Sequence, residues 1–262
     1  EKYIEKPRHI EIQILGDKFG DVVWLGERDC SIQRRHQKII EEAPSSFLDQ
    51  DTRAEMGSQA VKLAREVQYY SAGTVEFVVN PNKEFYFLEM NTRLQVEHPV
   101  TETVTNIDLV EQMIDIADNK KLKFKQDDIV VKGWSFESRL CGESPIKNFL
   151  PSAGRIKELS FPKENIRIDS GYQSGGEVSI YYDSLLAKII SKGNNRQDAI
   201  NVMQKALQEV CIDGVDTNID FLMDIFKNKN FINGDINTNF IEEVYKNGYK
   251  AETSNKNELE II

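Results

Sequence analysis

Gly73-Thr74-Val75-Glu76-Phe77-Val78-Val79 and Glu84-Phe85-Tyr86-Phe87-Leu88-Glu89-Met90-Asn91, joined by Asn80-Pro81-Asn82-Lys83 and followed by Thr92-Arg93-Leu94-Gln95-Val96-Glu97-His98-Pro99, decide how the rest is read. The two runs are rich in β-branched and aromatic residues, and the polar linker between them has the composition of a short hairpin loop. Side chains alternate along a strand, so Phe85, Phe87, Glu89 and Asn91 share one face and Tyr86, Leu88 and Met90 the other. With Val79 opposite Glu84, Glu76 lies opposite Phe87 and one diagonal step from Glu89, at roughly 7–8 Å. Two carboxylates and an amide thus converge at the end of an apolar face. Unpaired carboxylates that close repel each other, and a hard divalent cation with oxygen ligands removes the conflict. The stretch therefore predicts a metal-binding hairpin at the floor of an active site, the alternative being a half-exposed hairpin with its acids in water.

Outward from the hairpin, the pattern is that of an ordinary globular α+β chain. Ile10, Ile12 and Ile14 alternate with polar residues as in a half-buried strand, residues 16–21 form a turn, and residues 22–25 return as a second strand. Residues 30–38 are dense in hydrogen-bond donors suited to phosphate or carbonate. Met56, Ala60, Leu63, Ala64 and Val67 fall at helical spacing over residues 51–67, with Asp49 or Asp51 as the cap. A second helix is expected near residues 108–117, with Leu109, Val110, Met113, Ile114 and Ala117 inward. Composition turns polar at residues 120–128, dividing the chain into residues 1–122, 132–245 and a tail, 246–262.

In the second part, residues 134–140 read as a strand with Arg139 on the face opposite Trp134, Phe136 and Ser138. Residues 178–182 and 185–190 read as further strands. Asn195 caps a helix carrying Ala199, Ile200, Met203, Ala206, Leu207 and Val210, and short helices follow near residues 219–226 and 240–245.

The 262 residues are 40% hydrophobic, enough for a real core, and carry a net charge of −10, which argues against nucleic acid as a partner. Any anionic substrate must be held by a local cluster such as Arg34, Arg35 and Lys38. Cys30, Cys141 and Cys211 are odd in number and widely spaced, which disfavours a disulfide framework and points to a reducing compartment. No apolar run approaches membrane-spanning length and no signal peptide is visible; a start at Glu1 reads as a cut end.

Ser31-Ile32-Gln33-Arg34-Arg35-His36-Gln37-Lys38, together with residues 87–102 from Phe87-Leu88-Glu89-Met90-Asn91 through Glu97-His98-Pro99-Val100-Thr101-Glu102, resembles the signatures of biotin carboxylase, an ATP-grasp enzyme. The likeness runs from Glu1 to about Asn218. Gly133-Trp134 ahead of Arg139 and Phe231-Ile232-Asn233-Gly234-Asp235-Ile236 resemble the propionyl-CoA carboxylase α-subunit branch of that family. The resemblance implies the C-terminal portion of an ATP-grasp domain, a mainly antiparallel sheet with helices on one side, then a biotin carboxylase C-terminal subdomain. It implies ATP, two magnesium or manganese ions and biotin, and a reaction in which ATP and bicarbonate form carboxyphosphate before biotin is carboxylated.

By the same resemblance Glu76, Glu89 and Asn91 hold the metal, and Glu1, Lys2 and Ile4 lie at the adenine. His9, Gln33 and His36 surround the nucleotide, which Glu76 and Glu89 also reach. Lys38, Arg93, Gln95 and Val96 form the bicarbonate site. Glu97 is the base that deprotonates bicarbonate, its alternative being a plain ion pair with Arg93. Arg139 stabilises the biotin ureido oxygen, and Phe149 packs either on the biotin ring or in the core. The family's N-terminal domain and glycine-rich lid have no counterpart here, nor has a Met-Lys-Met carrier sequence, so the chain reads as the C-terminal half of a catalytic domain, inactive alone. The implied partners are a biotin carboxyl carrier domain, a carboxyltransferase β subunit and further copies of the parent, without nucleic acid or membrane. The implied location is the cytoplasm, or the mitochondrial matrix in a eukaryote. Two rivals remain open: another ATP-grasp ligase sharing the Glu-x-Asn pair, and a non-catalytic assembly module.

Overall fold

The computed structural model describes residues 3–250; Glu1, Lys2 and the tail from residue 251 onward lie outside the described residues. Eight strands form one sheet: β1 (Arg8–Gly16), β2 (Val22–Arg34), β3 (Gln37–Ala43), β4 (Ser71–Val79), β5 (Phe85–Asn91), β6 (Trp134–Cys141), β7 (Ile166–Ser170) and β8 (Leu185–Gly193). Their spatial order is β7-β8-β6-β3-β2-β1-β4-β5, and every neighbouring pair is antiparallel. The pairing of β3 with β6 carries the sheet without a break across the polar stretch near residue 125.

The helices are α1 (Gln50–Glu66), α2 (His98–Thr105), α3 (Leu109–Ala117), α4 (Arg196–Glu209), α5 (Ile219–Lys227), α6 (Lys229–Ile232) and α7 (Phe240–Val244). They cover both faces of the sheet, not one. On the first face α1 lays Met56, Ala60 and Ala64 over Ile10, Ile12, Ile14, Val75 and Phe77. Further along that face α4 and α5 cover Phe136, Leu140 and Ile189. On the second face α3 packs Leu109 and Ile116 against Leu15, Val23 and Leu25, and α2 packs Val100 and Val104 against Ala43 and Ile190. The middle of the second face is left to polar side chains, and there the site lies.

Local chemistry explains the elements. Asp49 accepts a hydrogen bond from the Thr52 amide (2.9 Å) and caps α1, and Asn195 accepts from the Asp198 amide (2.9 Å) to cap α4. Gly57 lets α1 approach the indole of Trp24: a Cβ there would come within 2.4 Å of the ring. Helix α2 carries Pro99 in its first turn, where proline's missing N–H is no loss. The expected inward face of α3 also changes, since Val110 and Ile114 are exposed while Gln112 and Asp115 are buried. Of residues 178–182 only Val178 belongs to a strand, Glu177–Val178, and Ile180 to Tyr182 stand exposed in a turn.

Candidate active site

The β4–β5 hairpin forms as expected, but in another register. Val79 faces Phe85 and Phe77 faces Phe87; a bulge at Leu88 then brings Glu89 directly opposite Glu76 and Asn91 opposite Thr74. The extra residue aims both acids and the amide at one spot, a recurrent use of bulges at sites. Asn91 Nδ2 donates to Glu76 Oε1 and to Glu89 Oε1, each at 3.1 Å. Glu76 also accepts from Gln95 Nε2 (2.7 Å) and Lys38 Nζ (3.2 Å), and its other oxygen lies 2.7 Å from His9 Nε2. Burial alone would raise the Glu76 pKa, but the bond from His9 and the charge of Lys38 outweigh it and hold it down to about 2.

Two cations flank the next carboxylate. Glu97, buried at the start of α2, accepts from Lys38 Nζ at 2.6 Å and from Arg139 Nη2 at 2.9 Å. Arg139 Nε donates to Glu41 Oε1 at 2.7 Å. Burial works against the charge on Arg139, but Glu41 and Glu97 overcome it and raise its pKa. The ion pair between Glu97 and Arg93 does not form: Arg93 is exposed and donates instead to Asn91 Oδ1 (3.2 Å) and the Leu94 carbonyl (3.3 Å).

Behind these groups lies a support that the sequence reading did not single out. Arg28 is wholly buried and donates to Glu11 (2.5 Å), Gln13 (2.6 Å), Thr101 (2.9 Å), Gln95 (3.0 Å) and Thr74 (3.1 Å). Glu11 also accepts from Lys38 Nζ at 2.5 Å. Burial would raise Glu11, and Arg28 and Lys38 together pull it down to about 2. One network therefore fixes Gln95 and Lys38, two side chains that face the cleft.

A cleft of about 730 Å³ opens over this floor. Its lining includes His9, Gln33, His36, Lys38, Glu76, Glu89, Asn91, Arg93, Gln95, Val96, Glu97 and Arg139, so most of the residues picked out in sequence meet there. His36 reaches the rim through a two-residue turn with Arg35 between β2 and β3, both residues having positive φ (65° and 50°), as a tight hairpin of this hand requires. That turn falls inside the donor-rich stretch, where no hairpin had been expected. The Val96 carbonyl accepts from Lys188 Nζ at 3.0 Å. Ile4 and Phe149 do not line the cleft; Phe149 packs on Phe221 (4.9 Å between rings) beneath the Arg34 guanidinium (4.1 Å).

The rim suits a hard cation. Glu76, Glu89 and the Asn91 side chain offer oxygen donors, and the amide NH2 that bridges the two carboxylates fills the place where positive charge is wanted. An oxygen-donor rim beside the buried cations Lys38 and Arg139, on an antiparallel sheet, is the arrangement of an ATP-grasp site.

Comparison with known proteins agrees. The profile described as "Carbamoyl-phosphate synthase L chain, ATP binding domain" matches residues 1–125, and "Biotin carboxylase C-terminal domain" matches residues 137–243. The mitochondrial propionyl-CoA carboxylase alpha chain of Sus scrofa is 54% identical over 254 residues, covering 96% of this chain and 35% of that protein. Biotin carboxylase 1 of Bacillus subtilis is 48% identical over 244 residues, covering 92% of this chain and 54% of that protein. The biotin carboxylase domain of Hydrogenobacter thermophilus 2-oxoglutarate carboxylase, solved with MgADP and bicarbonate, superposes with a TM-score of 0.91 at 48% identity, covering 93% of this chain and 54% of that one. This chain joins a match to that ATP-binding domain to a match to the biotin carboxylase C-terminal domain, and it is homologous to the biotin carboxylase part of the propionyl-CoA carboxylase alpha chains, spanning about a third of their length. Among the described residues no helix is long and apolar enough to cross a membrane.

Proposed function

We propose that the complete protein carboxylates biotin at the expense of ATP and bicarbonate, as the biotin carboxylase component of an acyl-CoA carboxylase of the propionyl-CoA type. The observation that carries this reading is Glu97, buried between Lys38 and Arg139 in the same cleft whose rim carries Glu76, Glu89 and Asn91. A carboxylate has about four acceptor positions. Its two protein bonds leave Glu97 room to take the bicarbonate proton, after which the carbonate oxygen is free to attack the terminal phosphate of ATP. Lys38, Arg93, Gln95 and Val96 hold the small anion. Arg139, already bonded to Glu41 and Glu97, stabilises the negative ureido oxygen of biotin.

Glu76, Glu89 and Asn91 would hold magnesium or manganese, and the ions, two when ATP is bound, would neutralise phosphate charge during transfer. Ile4, with Glu1 and Lys2 of the undescribed N-terminus, serves the adenine, and His9, Gln33 and His36 serve the rest of the nucleotide. Phe149 takes the core alternative, packed on Phe221. The division at residues 1–122 and 132–245 separates the ATP-grasp portion from the C-terminal subdomain, although one sheet joins them. The partners are a biotin carboxyl carrier domain, a carboxyltransferase β subunit and further copies of the protein. Its place is the cytoplasm, or the mitochondrial matrix in a eukaryote, the latter in keeping with relatives named as mitochondrial.

ADP release by the complete gene product with free biotin tests the reading. Release requiring both biotin and bicarbonate, and lost in Glu97→Gln and Arg139→Ala, is expected. Release that ignores biotin and survives Arg139→Ala would make the protein a different ATP-grasp ligase.

A further inference from the structure

Glu137 sits two residues before Arg139 on β6, directly across from Glu41 on β3, so both side chains point to the site face. Both residues are wholly buried. Glu41 Oε1 is taken by Arg139, whereas Glu41 Oε2 and both oxygens of Glu137 have no partner among the described residues. Ile190 lies opposite Glu137 on its other side, and the apolar cluster of Ala43, Val100, Val104 and Ile190 closes the space beneath α2. The charged groups that act on Glu137 are Glu41 on β3, Arg139 on β6, Lys188 on β8 and Glu97 at the start of α2, the helix that also carries the His98–Glu102 pair.

Two facing carboxylates with three oxygens that find no protein partner in a buried pocket resist both being charged, because an unpaired buried charge costs several kcal/mol. A single proton between them removes one charge and satisfies two of the three oxygens. We propose that Glu137 is held as a carboxylic acid whose proton is shared with Glu41 Oε2, so that the pair carries one negative charge and positions Arg139 through Glu41 Oε1. In keeping with this, burial and the charge of Glu41 push Glu137 well above the usual carboxylate range, and burial, offset by Arg139, brings Glu41 to about 7. With Nε on Glu41 and Nη2 on Glu97, Nη1 of Arg139 has no hydrogen-bond partner among the described residues and remains for a ligand oxygen.

Glu137 is thus a positioning residue; its consequence for turnover rests on the biotin carboxylase reading, but its protonation does not. Infrared difference spectra of the complete gene product, wild type against Glu137→Gln, should show at pH 7 a protonated-carboxyl stretch that shifts in D2O and is lost in the variant. Absence of that band overturns the proposal. In biotin-dependent ADP release, Glu137→Leu should lower kcat about tenfold with the KM for ATP unchanged, since Glu41 loses its donor, and Glu137→Gln, neutral and able to donate, should recover most of it. Glutamine as damaging as leucine would also overturn it. A protein that shows the band but never requires biotin would refute the functional reading and leave the shared proton standing.

Discussion

Arg28→Met is the most informative single change in this fold. It replaces a wholly buried guanidinium with an apolar chain of similar length and removes the donors to Glu11, Gln13, Thr74, Gln95 and Thr101 at once. Lys38 still reaches Glu11, so that carboxylate keeps one cation, but it loses the partner lodged with it in the core. Breaking a buried ion pair from one side costs about 3–5 kcal/mol, and each newly unsatisfied amide or hydroxyl adds about 1–3. Relaxation recovers part of that, leaving an expected loss of about 4 kcal/mol, a large share of the roughly 5–15 kcal/mol that holds a domain together. In a thermal scan this is a fall of about 8–16 °C at the size of this chain. Urea unfolding gives the same loss as a lowered midpoint at constant slope. Arg28→Lys should recover little, because an ammonium cannot span five partners in a fixed fork. The double variant Arg28→Met, Glu11→Met should be more stable than Arg28→Met alone, since it removes the stranded charge. A loss below about 1 kcal/mol, or a double variant worse than the single one, would refute the argument that this network supports the cleft.

Three further outcomes follow from the same geometry. Glu11 and Glu76 have folded pKa values near 2 against a usual 4.5, so the stability they contribute is complete above the unfolded value and is lost as pH falls toward 2. Glu11 supplies roughly 3 kcal/mol of it and the cleft-facing Glu76 less, while Glu41, near 7, costs stability as pH rises from the unfolded value through 7; unfolding at pH 7, 5 and 3 should reveal an acid slope that Glu11→Gln flattens. Arg93→Ala removes an exposed side chain that steadies Asn91, so the unfolding free energy should move by less than about 0.5 kcal/mol while the KM for bicarbonate rises; a large stability loss would place Arg93 in the fold instead. The isolated 262 residues, a little over half the length of the Bacillus biotin carboxylase, should release no ADP in response to bicarbonate, because their cleft leaves the phosphates open to water; turnover by this chain alone would show that one wall suffices.

The strands around residues 10–14, 73–79, 84–91, 134–140 and 185–190, the caps at Asp49 and Asn195 and the converging acids were legible because each is set by local rules of alternation, turn composition and capping, whereas β3 and β7 had not been expected. The rest of the site was hidden by one property of the fold: its sheet is covered on both faces. Ile10, Glu11, Ile12, Gln13 and Ile14 alternate as a half-solvated strand does, yet all five are buried, because the polar face meets Arg28 and α2 and not water. A buried polar belt and a solvated polar face have the same spelling, so nothing singled out Arg28, Glu11, Glu41 or Glu137. The same substitution of neighbours for water misplaced the inward side of α3, where Asp115 is buried and bonds Lys120 and Lys123 at its edge while Ile114 stands outside. The bulge at Leu88 was invisible for another reason, since nothing in Phe87-Leu88-Glu89 differs from a regular strand, and only the need to seat two acids and an amide together selects the extra residue. Residues that touch a ligand could therefore be found from their chemistry, whereas residues that hold them in place could be found only from what covers them.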